Sequence, residues 1–199
     1  MPEPRVAVLI SGRGSNMEAL IKAAQAEAFP ARVVLVISNN ENAAGLEIAR
    51  GLGVEALAIP ARPFGRDREA HERAIDAVLV ARKIEIVCLA GYMRLLTPYL
   101  VNRWAGRMLN IHPSLLPAYP GVDTHARVLA AGEAAHGCTV HLVTEEMDAG
   151  PVLAQARVEV LPGDSEETLA ARVLAQEHRL YPAALAALAR KIRLPEPGA

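Results

Sequence analysis

Asn110 and His112 form the pair of side chains in this sequence best suited to chemistry. They lie two positions apart at the end of the apolar run at 108–112. In an extended strand, residues two apart point to the same face, so both side chains can reach one reacting atom. An amide and an imidazole can both donate hydrogen bonds to the oxyanion that forms when a nucleophile attacks a carbonyl. The alternative is a strand end whose Asn and His satisfy loop backbone groups.

Asp148 is a candidate partner for this imidazole. It lies in the loop 144–151, which follows an apolar run and ends in Gly150 and Pro151. This composition is typical of a ligand-facing loop. Asp148 matters to His112 only if the fold brings the two side chains together. A lone acid in a turn is more often a solvated or capping residue, and the spacing alone does not decide between the two.

A glycine-rich turn at 12–16 joins the first apolar run to an amphipathic segment. Free backbone N–H groups and the helix dipole make such a turn a site for anions, phosphate above all. The dinucleotide fingerprint needs a glycine where Met17 stands and an acid where residues 38–40 read Ser-Asn-Asn, so NAD is disfavoured. A P-loop is excluded because no Gly-Lys-Ser/Thr follows. The alternative is a tight turn without ligand, with Ser15 or Asn16 as N-cap.

The elements that must position these residues alternate between strands and helices. Helical periodicity at 17–24 and 70–79 separates β-branched runs that predict buried parallel strands at 5–11, 32–38, 54–59, 85–90 and 108–112. The predicted fold class is therefore α/β, a single-domain, doubly wound, mostly parallel open sheet of the Rossmann-like kind. Such sheets bind ligands beyond the carboxyl ends of their strands, which is where Asn110 and His112 lie.

The second half of the chain is predicted to extend this sheet. A short helix should follow the N-cap Asp123 and end at Gly132, and the runs 138–144 and 152–161 predict an added strand pair. Asp164 and Glu167 fit a capping box for a long C-terminal helix, which Pro182 should kink or split. We expect residues 191–199 to form a loose tail.

Composition excludes several classes of protein. The chain has 199 residues, 52% of them hydrophobic, and 21 Lys and Arg against 22 Asp and Glu, so no basic excess points to nucleic acid. Its two cysteines lack CxxC spacing, and no zinc motif links the histidines, so we expect no metal. With no signal peptide and no membrane-spanning run predicted, we expect a soluble cytoplasmic protein that does not bind a membrane.

Four segments together resemble the phosphoribosylglycinamide formyltransferase family: SGRGSN at 11–16, LAGYMR at 89–94, NIHPSLLP at 110–117 and MDAGP at 147–151. The resemblance runs from about residue 4 to 190. It implies transfer of a formyl group from the co-substrate 10-formyltetrahydrofolate to the amine of glycinamide ribonucleotide, in de novo purine (IMP) biosynthesis. The implied partners are small molecules, with no metal, and the implied oligomeric state is a monomer or homodimer.

The resemblance also implies roles for individual residues. Asn110, His112 and Asp148 would be catalytic, and the ribonucleotide would be bound by Gly14, Ser15, Asn16 and Glu177. Folate would be bound by Arg68, Met93, Arg94, Leu95, Leu96, Asn110, Thr144, Glu145, Glu146, Met147 and Asp148. Residues 1–199 would form one formyltransferase domain, with a ribonucleotide-phosphate half at 5–112 and a folate and catalytic half at 113–190. This chain departs from the family pattern at Arg13, Ala118 and Asp123.

Other formyl-folate enzymes share the Asn-x-His motif and the later Asp, so they are alternatives. A methionyl-tRNA formyltransferase should carry a second, basic domain and a formyl-folate hydrolase an N-terminal regulatory domain, and we expect 199 residues to have room for neither. A sugar-nucleotide formyltransferase is a further alternative. From a different class, a non-catalytic or oxidoreductase nucleotide-binding module could use the same sheet, although Met17 and the missing acid after Ile37 argue against a dinucleotide.

Overall fold

The computed structural model describes residues 3–193. These form a single seven-stranded sheet, in the spatial order β3-β2-β1-β4-β5-β6-β7. Five strands are parallel: β1 (Arg5–Ile10), β2 (Arg32–Ser38), β3 (Glu55–Ala58), β4 (Ile86–Leu89) and β5 (Met108–His112). Two antiparallel strands extend the sheet beyond β5: β6 (Ala135–Leu142) and β7 (Val152–Glu159).

Helices cover both faces of the sheet. They are α1 (Ser15–Ala24), α2 (Ala44–Gly51), α3 (Arg68–Ala81), α4 (Pro98–Arg103), α5 (Thr124–Ala130) and α6 (Glu166–Arg193), with a 3₁₀ turn at Arg62–Phe64. Alternate side chains of β1 enter two separate apolar cores. Val6, Val8 and Ile10 pack in the core formed with α1, α2 and α6, whereas Ala7 and Leu9 pack in the core formed with α3 and α4. Both faces of β1 are therefore buried, which is why its sequence reads as a continuous apolar run.

The chain changes direction across the sheet between β1 and β4. From β1 it moves outward to β2 and β3, and then returns to the other side of β1 with β4 and β5. Loops at the carboxyl ends of β1 and β4 therefore diverge and leave a crevice, the usual ligand position in open α/β sheets. The glycine-rich turn after β1 and the strand end of β5 both open on this side of the molecule.

The predicted α/β class and its added strand pair are confirmed, and the strand bounds of β2 and β5 match the prediction. The two short helices α2 and α4 were not predicted, since eight and six residues carry little periodicity. Within residues 3–193, no helix combines the length and apolar character needed to cross a membrane.

Three local predictions at the C-terminal end need correction. Asp164 does not form the predicted capping box with Glu167, because its carboxylate binds the Arg172 guanidinium at 2.7 and 2.9 Å. The reciprocal pair is Ser165 and Thr168, each of whose hydroxyls accepts the other's backbone N–H. Pro182 does not split α6, which continues to Arg193 with fully buried side chains on both sides of the proline. Of the predicted tail, 191–193 are helical and 194–199 lie outside the described residues.

Candidate active site

The strand β5 presents Asn110 and His112 on one face, as their spacing predicts. Asn110 lies directly opposite His141 of the antiparallel strand β6. The two side chains meet, and the Asn110 amide N–H donates to Nε2 of His141 at 3.2 Å. The amide group carries a second N–H, which can donate to another acceptor. The Asn110 side chain is thus held in one orientation, and its second N–H is available to a further acceptor.

Asp148 reaches His112, which spacing alone could not establish. Its Oδ2 lies 3.5 Å from Nδ1 of His112, and its Oδ1 lies 3.8 Å from Nε2 of His141. The backbone N–H of Gly121 donates to the same Oδ2 at 2.8 Å. Asp148 itself adopts a left-handed backbone conformation with φ of 56°. The side chains of His112 and Asp148 are only 6% and 9% exposed, so the pair is shielded from most solvent screening.

The hydrogen bonds of His112 define where its protons can be. Nε2 of the ring lies 2.9 Å from the backbone carbonyl oxygen of Tyr119, which can only accept, so Nε2 carries a proton. The other nitrogen, Nδ1, faces the Asp148 carboxylate. Both ring nitrogens therefore face oxygen acceptors, and the ring donates to both only as the imidazolium.

His141 is a site residue that the sequence did not assign, because its alternation left open whether it faces the site or the core. Nδ1 of His141 lies 3.0 Å from the carbonyl oxygen of Leu142, so Nδ1 is the donor and Nε2 the acceptor. Burial lowers the pKa of His141, which favours the neutral ring that can accept from Asn110. Knowledge of the antiparallel register of β5 and β6, which places His141 opposite Asn110, would have identified His141 as a residue that faces the site.

The glycine-rich turn has the geometry of an anion site. Gly14 is the N-cap of α1 with φ of 74°, and no side chain caps the helix, so the alternative of Ser15 or Asn16 as N-cap is wrong. A Cβ at Gly14 would lie 3.1 Å from the Cα of Gly45. The turn borders a cavity of 270 Å³ that is lined by residues 11–16, 90, 91 and 93. Uncapped backbone N–H groups at a helix start are suited to phosphate.

Glu177 comes to this turn from α6. Its carboxylate accepts a hydrogen bond from the Asn16 side-chain amide at 2.7 Å, across 161 positions of sequence. Burial raises the pKa of Glu177. The Oδ1 atom of Asn16 is buried and has no hydrogen-bond partner in the structure. Of the residues that the resemblance links to the ribonucleotide, Asn16 and Glu177 are therefore in contact, and Ser15 is the neighbour of Asn16 in the chain.

The predicted folate-binding residues fall into two loops and one helix end. Residues 93–96 follow β4 without helix or strand structure, and Met93 and Leu95 are 72% and 61% exposed. Arg68 begins α3, and its guanidinium lies 3.4 Å from the carbonyl oxygen of Leu95. In the loop after β6, Met147 is exposed, whereas the Glu145 carboxylate accepts from the side chain of Asn102 in α4.

The remaining predicted folate residues are less constrained. Arg94 and Leu96 are half-buried, and Thr144 and Glu146 are exposed, with the Thr144 hydroxyl donating to the Glu146 carbonyl at 3.1 Å. The backbone N–H of Met93 donates to the hydroxyl of Ser11 at 2.8 Å. This hydrogen bond joins the 93–96 loop directly to the glycine-rich turn.

The other histidines do not join this site as metal ligands. His125 and His136 contact each other, with Nδ1 and Nε2 3.0 Å apart and the rings edge to face. Burial, with the neighbouring His125 ring, lowers the pKa of His136 to about 4. In the described range 3–193, no three His, Cys, Asp or Glu side chains are placed to share a metal ion.

Comparison with known proteins gives consistent matches. The model of the formyl transferase family matches residues 4–185. Phosphoribosylglycinamide formyltransferase of Escherichia coli K12 is 47% identical over 177 residues, which cover 89% of this chain and 83% of that protein. The trifunctional purine biosynthetic protein adenosine-3 of Bos taurus is 47% identical over 195 residues, but this chain spans only 19% of its length.

A solved structure supports the same grouping. The crystal structure of phosphoribosylglycinamide formyltransferase from Brucella melitensis is 56% identical in sequence and superimposes with a TM-score of 0.90. The match covers 94% of this chain and 96% of that one. Fold and sequence therefore agree along nearly the whole described chain.

Proposed function

We propose that this chain, which belongs to the formyl transferase family, transfers a formyl group from 10-formyltetrahydrofolate to the primary amine of glycinamide ribonucleotide. The products are formylglycinamide ribonucleotide and tetrahydrofolate, in de novo purine biosynthesis. The names of the E. coli and Brucella melitensis relatives support this acceptor. The observation that carries the proposal is that Asn110 and His112 share one face of β5 while the Asp148 carboxylate lies 3.5 Å from the His112 ring.

The proposed reaction is an acyl transfer. The neutral amine of the ribonucleotide attacks the formyl carbon, and the carbonyl oxygen becomes an oxyanion. The second N–H of Asn110 donates to that oxyanion, and the Nε2–H of His112 donates to it in place of the Tyr119 carbonyl. The Asp148 carboxylate stabilises the charge of the imidazolium, an effect that burial of the pair strengthens.

The proton balance of the step involves two nitrogens. The attacking amine loses a proton, and N10 of the folate gains one when the carbon–nitrogen bond breaks. The Asp148 carboxylate lies 3.5 Å from the ring of His112, so we assign to it the transfer of this proton through water. Formyl donor and amine acceptor are thereby converted without any change of oxidation state.

The ribonucleotide phosphate is proposed to bind at the start of α1. The N–H groups after Gly14 and the positive end of the helix dipole would hold it. Glu177 lies at the side of the same turn, where its carboxylate can accept hydrogen bonds from hydroxyl groups of the ribose or from the glycinamide. Arg13, exposed beside the turn, adds a positive charge that favours a phosphate.

Formyl folate is proposed to bind against the 93–96 loop and the loop after β6. Exposed Met93, Leu95 and Met147 offer apolar surface for its ring system, and Arg68 offers a guanidinium for a carboxylate of its tail. The proposed folate site therefore draws on both predicted halves, 5–112 and 113–190, since Arg68 and Met93 lie in the first half. We further propose a cytoplasmic location and a monomer or homodimer.

The test is a transfer assay with the purified chain. Glycinamide ribonucleotide and a 10-formyl folate are mixed with the protein, and the deformylated folate is followed by its ultraviolet absorbance. We expect product only when both substrates are present, and a large loss of rate in His112→Ala. Release of formate without the ribonucleotide would identify a hydrolase instead, and folded protein without any turnover would contradict the proposal.

A further inference from the structure

Helix α3 carries a stripe of polar side chains along one face. Arg68, Glu72 and Asp76 are spaced four residues apart, so they lie above one another on the helix. All three contact the chain that follows β4. Arg68 contacts the carbonyl of Leu95, Glu72 contacts Thr97, and Asp76 accepts hydrogen bonds from the side chains of Tyr99 and Trp104 at 3.0 and 2.9 Å.

Glu72 is the most buried of the three, with 2% of its surface exposed. One carboxylate oxygen accepts the backbone N–H of Thr97 at 2.7 Å, and the other accepts the Thr97 hydroxyl in a short hydrogen bond. Among the described residues Glu72 forms no salt bridge. Burying a carboxylate without a cation is unfavourable unless hydrogen bonds compensate it, and here both bonds come from one residue.

Thr97 is the N-cap of α4, yet its side chain does not cap that helix. A threonine at this position normally accepts an N–H from the first helical turn. Here its hydroxyl donates to Glu72 instead. The Thr97 hydroxyl thus does not cap α4 but links α3 to the end of the loop after β4.

That link fixes one end of an otherwise irregular segment. Residues 90–97 contain neither helix nor strand. Tyr92 and Leu96 pack against the core formed with α3 and α4, whereas Met93 and Leu95 are exposed. At the other end, the hydroxyl of Ser11 accepts the N–H of Met93 at 2.8 Å. Hydrogen bonds therefore hold the 93–97 segment at Met93, through Ser11 directly after β1, and at Thr97, through Glu72 of α3.

We propose that Glu72 is a positioning residue for the formyl folate, which it never touches. The inference rests on the proposed function, because it assigns the 93–96 loop to folate. A loop already ordered before binding loses less conformational freedom when a ligand packs on it, so affinity is higher. Removing the link should therefore weaken folate binding and leave the ribonucleotide turn and the catalytic residues unaffected.

The test compares Glu72→Ala with Asp76→Ala, a buried acid one turn further along the same stripe. For Glu72→Ala we expect the KM for 10-formyltetrahydrofolate to rise about tenfold, equivalent to ~1.4 kcal/mol, with kcat and the KM for the ribonucleotide within about twofold. Asp76→Ala should lower Tm without changing the folate KM, because its partners lie beyond the 93–97 segment. Glu72→Gln can still accept from the Thr97 N–H and should restore most of the affinity.

Amide hydrogen exchange of the ligand-free protein checks the physical basis separately. Exchange at 93–97 should quicken in Glu72→Ala and remain normal in Asp76→Ala. If Glu72→Ala does not fold, Thr97→Val tests the same link, because it removes the hydroxyl that donates to Glu72. This variant should also raise the folate KM. An unchanged folate KM in folded Glu72→Ala, or an equal rise in Asp76→Ala, would overturn the positioning role alone. Wild-type protein that binds no formyl folate would overturn the proposed function and this inference with it.

Discussion

The Asp148 carboxylate faces Nδ1 of His112 at 3.5 Å, while the carbonyl of Tyr119 faces Nε2 at 2.9 Å. The imidazole is therefore held between two acceptors. Asp148 is itself held by the N–H of Gly121 and by its own left-handed backbone conformation. His112 shares one face of β5 with Asn110, so both side chains border the region in which we propose that the oxyanion forms.

Asp148→Asn should reduce kcat by about two to four orders of magnitude and leave ribonucleotide binding nearly intact. The amide keeps the volume of the carboxylate but removes the charge that favours the imidazolium and the group assigned to proton transfer. Steady-state kinetics with ligand titration separates the two effects.

The matched control for that variant is Glu146→Gln, which neutralises an exposed acid in the same loop. It should keep the wild-type kcat, with any change confined to the KM for folate, because the resemblance assigns Glu146 to folate binding. If Asp148→Asn kept more than half of the wild-type turnover, Asp148 would have no place in the mechanism.

The sequence predicted the sheet and the polar strand end because both depend on local spacing. Buried parallel strands read as continuous apolar runs, and a spacing of two sets Asn110 and His112 on one face of β5. The turn at Gly14 was likewise visible as a local pattern. These features need no knowledge of which distant segments pack together.

The sequence alone did not predict the long-range contacts between side chains. The pairing of Asn110 with His141 depends on the antiparallel register of β6, and the contact of Asn16 with Glu177 depends on how α6 packs against α1. The role of Thr97 was also hidden, because its helix is only six residues long and its hydroxyl is bound by a distant acid. In each case tertiary packing decides where a polar side chain points.

Gly14→Val should abolish competition of inorganic phosphate with the ribonucleotide. The valine would have to adopt a φ of 74°, and its Cβ would lie 3.1 Å from the backbone of Gly45, which displaces the N–H groups of the turn. Folate binding should survive. Isothermal titration with phosphate, ribonucleotide and folate measures all three affinities.

Gly53→Val controls for backbone strain, since Gly53 has a similar φ of 77° but open space around its Cβ. This variant should lower Tm and keep phosphate competition. Equal loss of folate and ribonucleotide affinity in folded Gly14→Val would contradict a separate phosphate site.

His136 should make the protein less stable in mild acid. Its pKa is lowered to about 4 in the folded state, whereas an unfolded histidine titrates near 6.5, so between these values the unfolded chain binds more protons. The free energy of unfolding is therefore lost as pH falls through this window, by roughly 2–3 kcal/mol from this residue. Urea unfolding from pH 7 to pH 4 should show a smaller loss in His136→Gln. An equal loss of unfolding free energy between pH 7 and pH 4 in the two proteins would exclude His136 as the source.

Asn110→Asp replaces a hydrogen-bond donor by an acceptor of nearly the same size, where negative charge develops. Losing one oxyanion donor typically costs ~2.7–4 kcal/mol, or about 10²–10³ in rate, and the added carboxylate should push the loss to that range or beyond. The acid also cannot donate to Nε2 of His141 while ionised, so it disturbs the support of the same side chain. Turnover and Tm are measured on one preparation. A hundredfold lower turnover with unchanged Tm supports the oxyanion role, whereas a lower Tm with near-normal turnover per folded molecule means that Asn110 only shapes the strand end.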